Sequence, residues 1–141
     1  MAKATLKKVV EIMKNLDICM MTTVKGSGIT ASRPMSNNAE VEYSGTSYYF
    51  TWKKSKTVKD ISKNPHVNLS FTGSKMLKKV YVSVEARAKL IENKKAMQDH
   101  WSKDLEVWFK DGIDTPGIVM IEAKAKRIKY WHGMEEGELK L

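Results

Sequence analysis

Between about Lys79 and Ile91 the sequence alternates without a break. Val80, Val82, Val84, Ala86, Ala88 and Leu90 are interleaved with Tyr81, Ser83, Glu85, Arg87 and Lys89. Successive side chains of a strand point to opposite faces, so a strict period of two specifies one long β-strand with a core face and a wetter face. The small Ala86 and Ala88 suggest a barrel corner or a close contact between subunits.

Other segments supply strands in hairpin order. Ile18 to Val24 and Ile29 to Met35 flank a Lys25-Gly26-Ser27-Gly28 turn, and Pro34 confines the second strand to an edge or end position. Asn37-Asn38 signals a turn before a short strand at Glu40 to Tyr43, and Ser44-Gly45 leads into Ser47 to Thr51. A strand from His66 to Thr72 ends at Gly73-Ser74, and Ile118 to Ala123 with Lys126 to Trp131 form a closing pair. Helices are few. Thr5 to Leu16 places Leu6, Val9, Val10, Met13 and Leu16 at helical spacing. A second helix follows Ser55 and stops near Lys63, because residues before Pro65 avoid helical geometry. Asn93 caps a third to about Ser102, and Leu105 to Phe109 is a short helical turn. The pattern predicts a mainly β fold, an antiparallel sheet closed into a small barrel. With no repeat, low-complexity stretch or linker, residues 1–141 read as one domain.

Composition narrows the function classes. A hydrophobic fraction of 42% and a charged fraction of 29% are those of a soluble globular protein. No apolar run approaches the ~20 residues of a membrane span, and the basic start lacks the features of a signal peptide. The expectation is a cytoplasmic protein without a membrane partner. The single Cys19 forbids an internal disulfide and a cysteine-based zinc site, and reads as a small buried thiol. His66, His100 and His132 lack metal-ligand spacing, so no metal is expected. A net charge of +9 allows a nucleic-acid partner, but the lysines are scattered and describe a solvated basic surface.

The segment most suited to chemistry runs from Tyr48 to Ile61: the end of an apolar strand, a basic hydroxyl-bearing turn and a helix start. Ser55 is a good N-cap. The first helical turn offers partial positive charge and free N–H donors, surrounded by Thr51, Lys53, Lys54, Ser55, Lys56 and Thr57. That combination suits an anion, above all a phosphate. The same residues also describe an ordinary strand-to-helix turn with a solvated basic face.

Arg33-Pro34-Met35, Phe50-Thr51, Ser55, Asn64-Pro65 and Trp108-Phe109 followed by Gly112-Ile113-Asp114 and Pro116-Gly117 occur in a telling order and spacing. From about Leu6 to Trp131 the chain resembles the pyridoxamine 5′-phosphate oxidase-like FMN-binding split barrels, and within them the small general stress protein branch. The resemblance implies a six- to seven-stranded antiparallel split β-barrel that binds FMN at a homodimer interface. It implies that Arg33 pairs with the FMN phosphate and that Thr51, Ser55 and Lys56 complete the grip. Pro34 and Met35 would lie near the ring, Trp52 would lie against it or simply cover the turn, and Trp108 would approach across the dimer. Phe50 and Trp101 read as core. The family pattern has a lysine two residues after the serine; here that position is Thr57, also counted with the cofactor-binding residues, and Lys56 stands one residue earlier.

No catalytic residue can be named, because the sequence contains no Ser-His-Asp set, paired-carboxylate motif or metal cluster. The closing segment from Tyr130 to Leu141 has no arginine and several glutamates, unlike the substrate-gripping end of true pyridoxamine phosphate oxidases, so that substrate is not expected. Three functions remain: an FMN-dependent oxidoreductase on an unidentified small molecule, a flavin-binding stress or sensor protein without turnover, and a basic nucleic-acid-binding module. Relatives of the fold also bind deazaflavin or haem.

Overall fold

The structure, a computed structural model, describes residues 2–36 and 43–141. The expected Asn37-Asn38 turn and all but Tyr43 of the expected Glu40 to Tyr43 strand lie outside the described residues. Element order is β1 (Ala2–Lys3), α1 (Leu6–Met13), β2 (Ile18–Val24), β3 (Thr30–Ser36), β4 (Thr46–Trp52), α2 (Lys56–Lys63), β5 (His66–Lys75), β6 (Lys78–Ile91), α3 (Lys94–Gln98) and two 3₁₀ turns, Lys103–Val107 and Gly112–Asp114. β7 (Ile118–His132) and β8 (Glu135–Lys140) close the chain.

The strands join into one sheet in the order β1-β8-β7-β6-β5-β2-β3, with β4 paired to β7 beside β8. Every pairing except β1 with β8 is antiparallel. Among the described residues β3 pairs only with β2 and β4 only with β7, so the barrel stays open between β3 and β4. This is the split β-barrel, with eight strands rather than six or seven. The additions are the two-residue β1 at the edge and the acidic strand β8 beside it, neither of which carries the apolar alternation that marks a strand.

The long alternating segment is β6, and its apolar face lines the core. Val80, Val82, Val84, Ala86 and Ala88 are all buried there with Phe71, Leu69, Met21, Tyr49 and Ile128. Ala86 and Ala88 thus belong to this chain's own core, not to a subunit contact. Near them α2 packs on β6, and the Ala88 N–H bonds the Pro65 carbonyl at 2.7 Å. Small side chains let that backbone approach.

Two expected strands, Ile118 to Ala123 and Lys126 to Trp131, form the single strand β7. Glu85 faces Arg127 while Ala86 faces Ala125, so Lys126 is an extra residue in the ladder, a β-bulge. Ahead of it Ile121, Ala123 and Ala125 face the core; after it Ile128 and Tyr130 do. The bulge resets the alternation, which is why the sequence reads as two strands. It also marks the handover on the opposite edge: the Ala125 N–H bonds the Gly45 carbonyl ahead of β4, and the Leu141 N–H beyond β8 bonds the Lys126 carbonyl.

Three boundaries differ from expectation. β5 runs through Gly73-Ser74 to Lys75, and the hairpin turns instead at Met76-Leu77, both with positive φ (51° and 65°). Gly73 serves packing, since a Cβ there would overlap the Leu16 side chain. α1 stops at Met13, two residues before Asn15 takes a left-handed φ of 71°. α3 stops at Gln98, and the chain then turns so that His100 and Trp101 reach β4.

Candidate functional site

β4 has two unlike faces. Ser47 and Tyr49 point into the core, and the Tyr49 hydroxyl meets Ser47 Oγ at 2.9 Å while the Cys19 thiol donates to it at 3.7 Å. The other face presents Tyr48, Phe50 and Trp52 in a row. Each meets a ring from the segment after α3. Tyr48 stacks on His100 with centroids 3.5 Å apart, Phe50 meets Trp101 edge-on at 5.0 Å, and Trp52 meets Phe109 at 4.9 Å. Such aromatic pairs contribute about 0.5–1.5 kcal/mol each beyond burial. They hold the α3-to-β7 excursion against β4, over a second small core of Met97, Phe109, Ile118 and Met120.

That excursion forms one wall of a cleft of about 380 Å³ at the split. Pro34 and Met35 of β3 line one side, Thr51 and Trp52 of β4 the floor, and Trp108 the far wall. Five of the nine sequence-predicted site residues thus converge. Trp108, expected to approach from a partner subunit, lines the cleft of its own chain and is 74% exposed. Ile18, Ser36, Phe50, Leu105 and Phe109 complete the lining. Phe50 is therefore not simply core: it is half-buried between the second core and the cleft. Trp101 packs against that second core as expected. The period of two along Tyr48, Phe50 and Trp52 was the signal for Phe50, since a strand that buries Tyr49 turns Phe50 the other way.

The other four residues sit around α2. Ser55 Oγ accepts from the Val58 N–H at 3.2 Å, an ordinary N-cap. Lys56 is exposed at the helix start and Thr57 is buried. Arg33 turns inward from β3 toward α2. Its Nη1 donates to Thr23 Oγ1 at 2.6 Å and to the Met21 carbonyl at 3.3 Å, and its Nη2 lies 3.6 Å from Asp60 Oδ2. Thr23 Oγ1 donates to the same Asp60 oxygen at 2.7 Å. Sequence reasoning missed Thr23 and Asp60, because nothing in their local pattern shows that β2, β3 and α2 meet.

Burial pushes the Cys19 thiol up to about 11, so at neutral pH it is a protonated, unreactive core group. Burial likewise raises the Tyr49 phenol, with the nearby Cys19 adding to the effect. Among the described residues the cleft lining holds no titratable acid or base. Among the described residues no group of three or more His, Cys, Asp or Glu could hold a metal, and no helix is long and apolar enough to cross a membrane.

A sheet that, among the described residues, is left open at one seam with an aromatic cleft beside it defines a split-barrel protein. The sequence pattern of the family "Pyridoxamine 5'-phosphate oxidase like" matches residues 4–141, and the chain belongs to that family. No curated protein matches the sequence. Solved structures do. General Stress Protein 26 from Bacillus anthracis is 23% identical with a TM-score of 0.76, over 96% of this chain and 97% of that one. A Clostridium acetobutylicum protein related to general stress protein 26 of B. subtilis superimposes with a TM-score of 0.80 at 17% identity, over 96% and 94% of the two chains. An FAD-binding protein from Mesorhizobium loti matches with a TM-score of 0.72 at 14% identity, over 90% and 94%. At these identities the likeness establishes the fold.

Proposed function

We propose that the protein is a single-domain, homodimeric FMN-binding member of its family, acting as an oxidoreductase on an unidentified small molecule. The observation that carries this is the convergence of Pro34, Met35, Thr51, Trp52 and Trp108 on one cleft across the open seam. The residues present fit a flavin. Trp52, Trp108 and Phe109 offer aromatic surface for a flat ring, and the start of α2, with exposed Lys56 and the nearby Lys53 and Lys54, offers N–H donors and positive charge for a phosphate. A flavoprotein among the structural neighbours supports the same class of ligand.

Bound FMN would supply the redox chemistry itself. The chain's own part is to bind and orient the ring, exclude water with the Trp108 wall, and compensate the phosphate charge. A partner subunit is supported by Ile18 and Met20, apolar side chains exposed on the outer face of β2, since Ile18 also borders the cleft. The proposal takes the cytoplasm as the working compartment, where a lone thiol stays reduced.

A carrier or sensor without turnover is the second reading. The observation favouring it is the described part of the cleft lining, which brings no titratable group to donate or accept a proton. The test is visible absorption of the purified protein, followed by titration of the apoprotein with FMN and riboflavin. FMN should bind far more tightly, and equal affinities would remove the phosphate assignment. Spectra of a deazaflavin or a haem would replace FMN with that cofactor, and a colourless protein that gains no colour from FMN would return the basic nucleic-acid module to the front. Stopped-flow reduction by NADH or NADPH then separates oxidoreductase from carrier, and light scattering measures the dimer.

A further inference from the structure

We infer that Thr23 and Asp60 are positioning residues that lock the Arg33 guanidinium, reserving one of its two hydrogen-bonding forks for an anion at the α2 corner. This rests on the phosphate-site reading above and adds two residues to it. A guanidinium has five N–H donors in a rigid plane. Both N–H groups of Nη1 are taken, by Thr23 Oγ1 at 2.6 Å and the Met21 carbonyl at 3.3 Å. Nη2 is held 3.6 Å from Asp60 Oδ2. Nε has no partner among the described residues, so the fork formed by Nε and the outer N–H of Nη2 is the one left over. That side-on fork is the bidentate grip for carboxylate or phosphate oxygens.

The lock is closed on itself. Thr23 has one hydroxyl proton, and it goes to Asp60 at 2.7 Å, which leaves its lone pair free to accept from Arg33. Thr23 is fully buried, while the Arg33 and Asp60 side chains are 21% and 12% exposed. The guanidinium therefore cannot swing into water without breaking three contacts in a poorly solvated place. A freely rotating arginine would lose that freedom on meeting an anion; a locked one has already lost it on folding. Asp60 also belongs to α2, so the same lock fixes edge strand β3 to the helix whose start offers the N–H donors.

The test uses Thr23→Val, which keeps shape and charge but removes the hydroxyl, and Thr23→Ser, which keeps the hydroxyl. Affinity for FMN and for riboflavin is measured on each. General loosening moves both ligands together, whereas loss of the lock moves only the one with a phosphate. Thr23→Val should bind FMN about tenfold more weakly with riboflavin unchanged, and Thr23→Ser should stay near wild type. An NMR measurement on the ligand-free wild type stands independently of any variant's folding. The Nη protons of Arg33 should give resolved, slowly exchanging signals, the mark of a guanidinium that does not rotate. Averaged signals, or a Thr23→Val protein that keeps the wild-type FMN-to-riboflavin ratio, would overturn this inference alone. A locked guanidinium in a wild type that does not prefer FMN would overturn the phosphate-site reading, and the purpose assigned to the lock with it.

Discussion

The β5-β6-β7 side of the barrel and the seam between β3 and β4 use the same strand geometry to opposite ends. On the continuous side each strand has a neighbour on both edges, and the inner residues Leu69, Phe71, Val82, Val84 and Ile128 are all but sealed from solvent. At the seam each strand has one partner among the described residues, the pattern along β3 is exposed or half-buried throughout, and Trp52 and Trp108 are partly or largely exposed. The difference shows where stability resides and where it has been given up: unpaired edges and exposed rings are liabilities unless something is meant to cover them.

Substitutions on the two sides should therefore separate folding from binding. The largest effect is expected for Phe71→Ala, which empties the sealed side; chemical denaturation should show a loss of about 3–5 kcal/mol. Arg33→Ala comes next. As an element-end residue serving only a ligand, Arg33 would leave the apoprotein's melting temperature untouched. Its ion pair with mostly buried Asp60 predicts otherwise: a loss of about 1.5–3 kcal/mol in the apoprotein, together with weaker FMN binding. An unchanged apoprotein melt would show that the pair contributes nothing to folding. Ser55→Ala removes the N-cap bond to Val58 and should cost about 1 kcal/mol in the same assay. Trp108→Ala inverts the pattern: stability should move by no more than about 0.5 kcal/mol, as for most exposed positions, while flavin affinity drops roughly tenfold. A large stability loss there would mean that the cleft wall is part of the scaffold.

Cys19 ionisation has no expected effect at neutral pH, and its effect appears only in alkali. Burial raises the folded pKa of Cys19 from the ordinary thiol value of 9.0 to about 11. The thiol's contribution to stability is therefore fully present below about pH 9 and is lost as pH rises through about 11. Between those values a Cys19→Ala protein should lose less stability than wild type. At pH 7 to 8 the native thiol should resist a disulfide reagent that labels the unfolded chain at once.

What could be read from the sequence follows the same division. β2, α2 and β6 matched their expected bounds to within a residue, because their apolar periods are strict and Ser55 and Pro65 punctuate α2. The errors fell where tertiary contacts override local pattern. Met76-Leu77 turns a hairpin at positive φ without the glycine or asparagine that normally signals it. β8 forms from an acidic stretch because β7 pairs with it and Arg127 reaches Glu138 at 3.0 Å. The resemblance supplied Pro34, Met35, Trp52 and Trp108 of the cleft, the hydroxyl-bearing turn already pointed to Thr51, Phe50 was read as core, and nothing pointed to Leu105 or Ile18. Thr23 and Asp60 stand 37 positions apart, and no single-chain pattern links them.

The bulge at Lys126 sets where β7 can absorb a change in length. Most exposed lysines can be exchanged freely, and point changes at Lys126 should be mild. Deleting Lys126 would close the bulge and leave Arg127 opposite Glu85 and Ile128 opposite Val84, so Ile128 and Tyr130 would stay inside; what would go is the local bend and the Lys126 carbonyl that accepts from the Leu141 N–H. Deleting Lys129, on the regular ladder beyond, is another matter: Tyr130 would turn out to water and Trp131 would turn in. The same loss of one lysine is thus close to silent at one position and disruptive three positions on, and among relatives of this chain changes in the length of β7 should gather at the bulge.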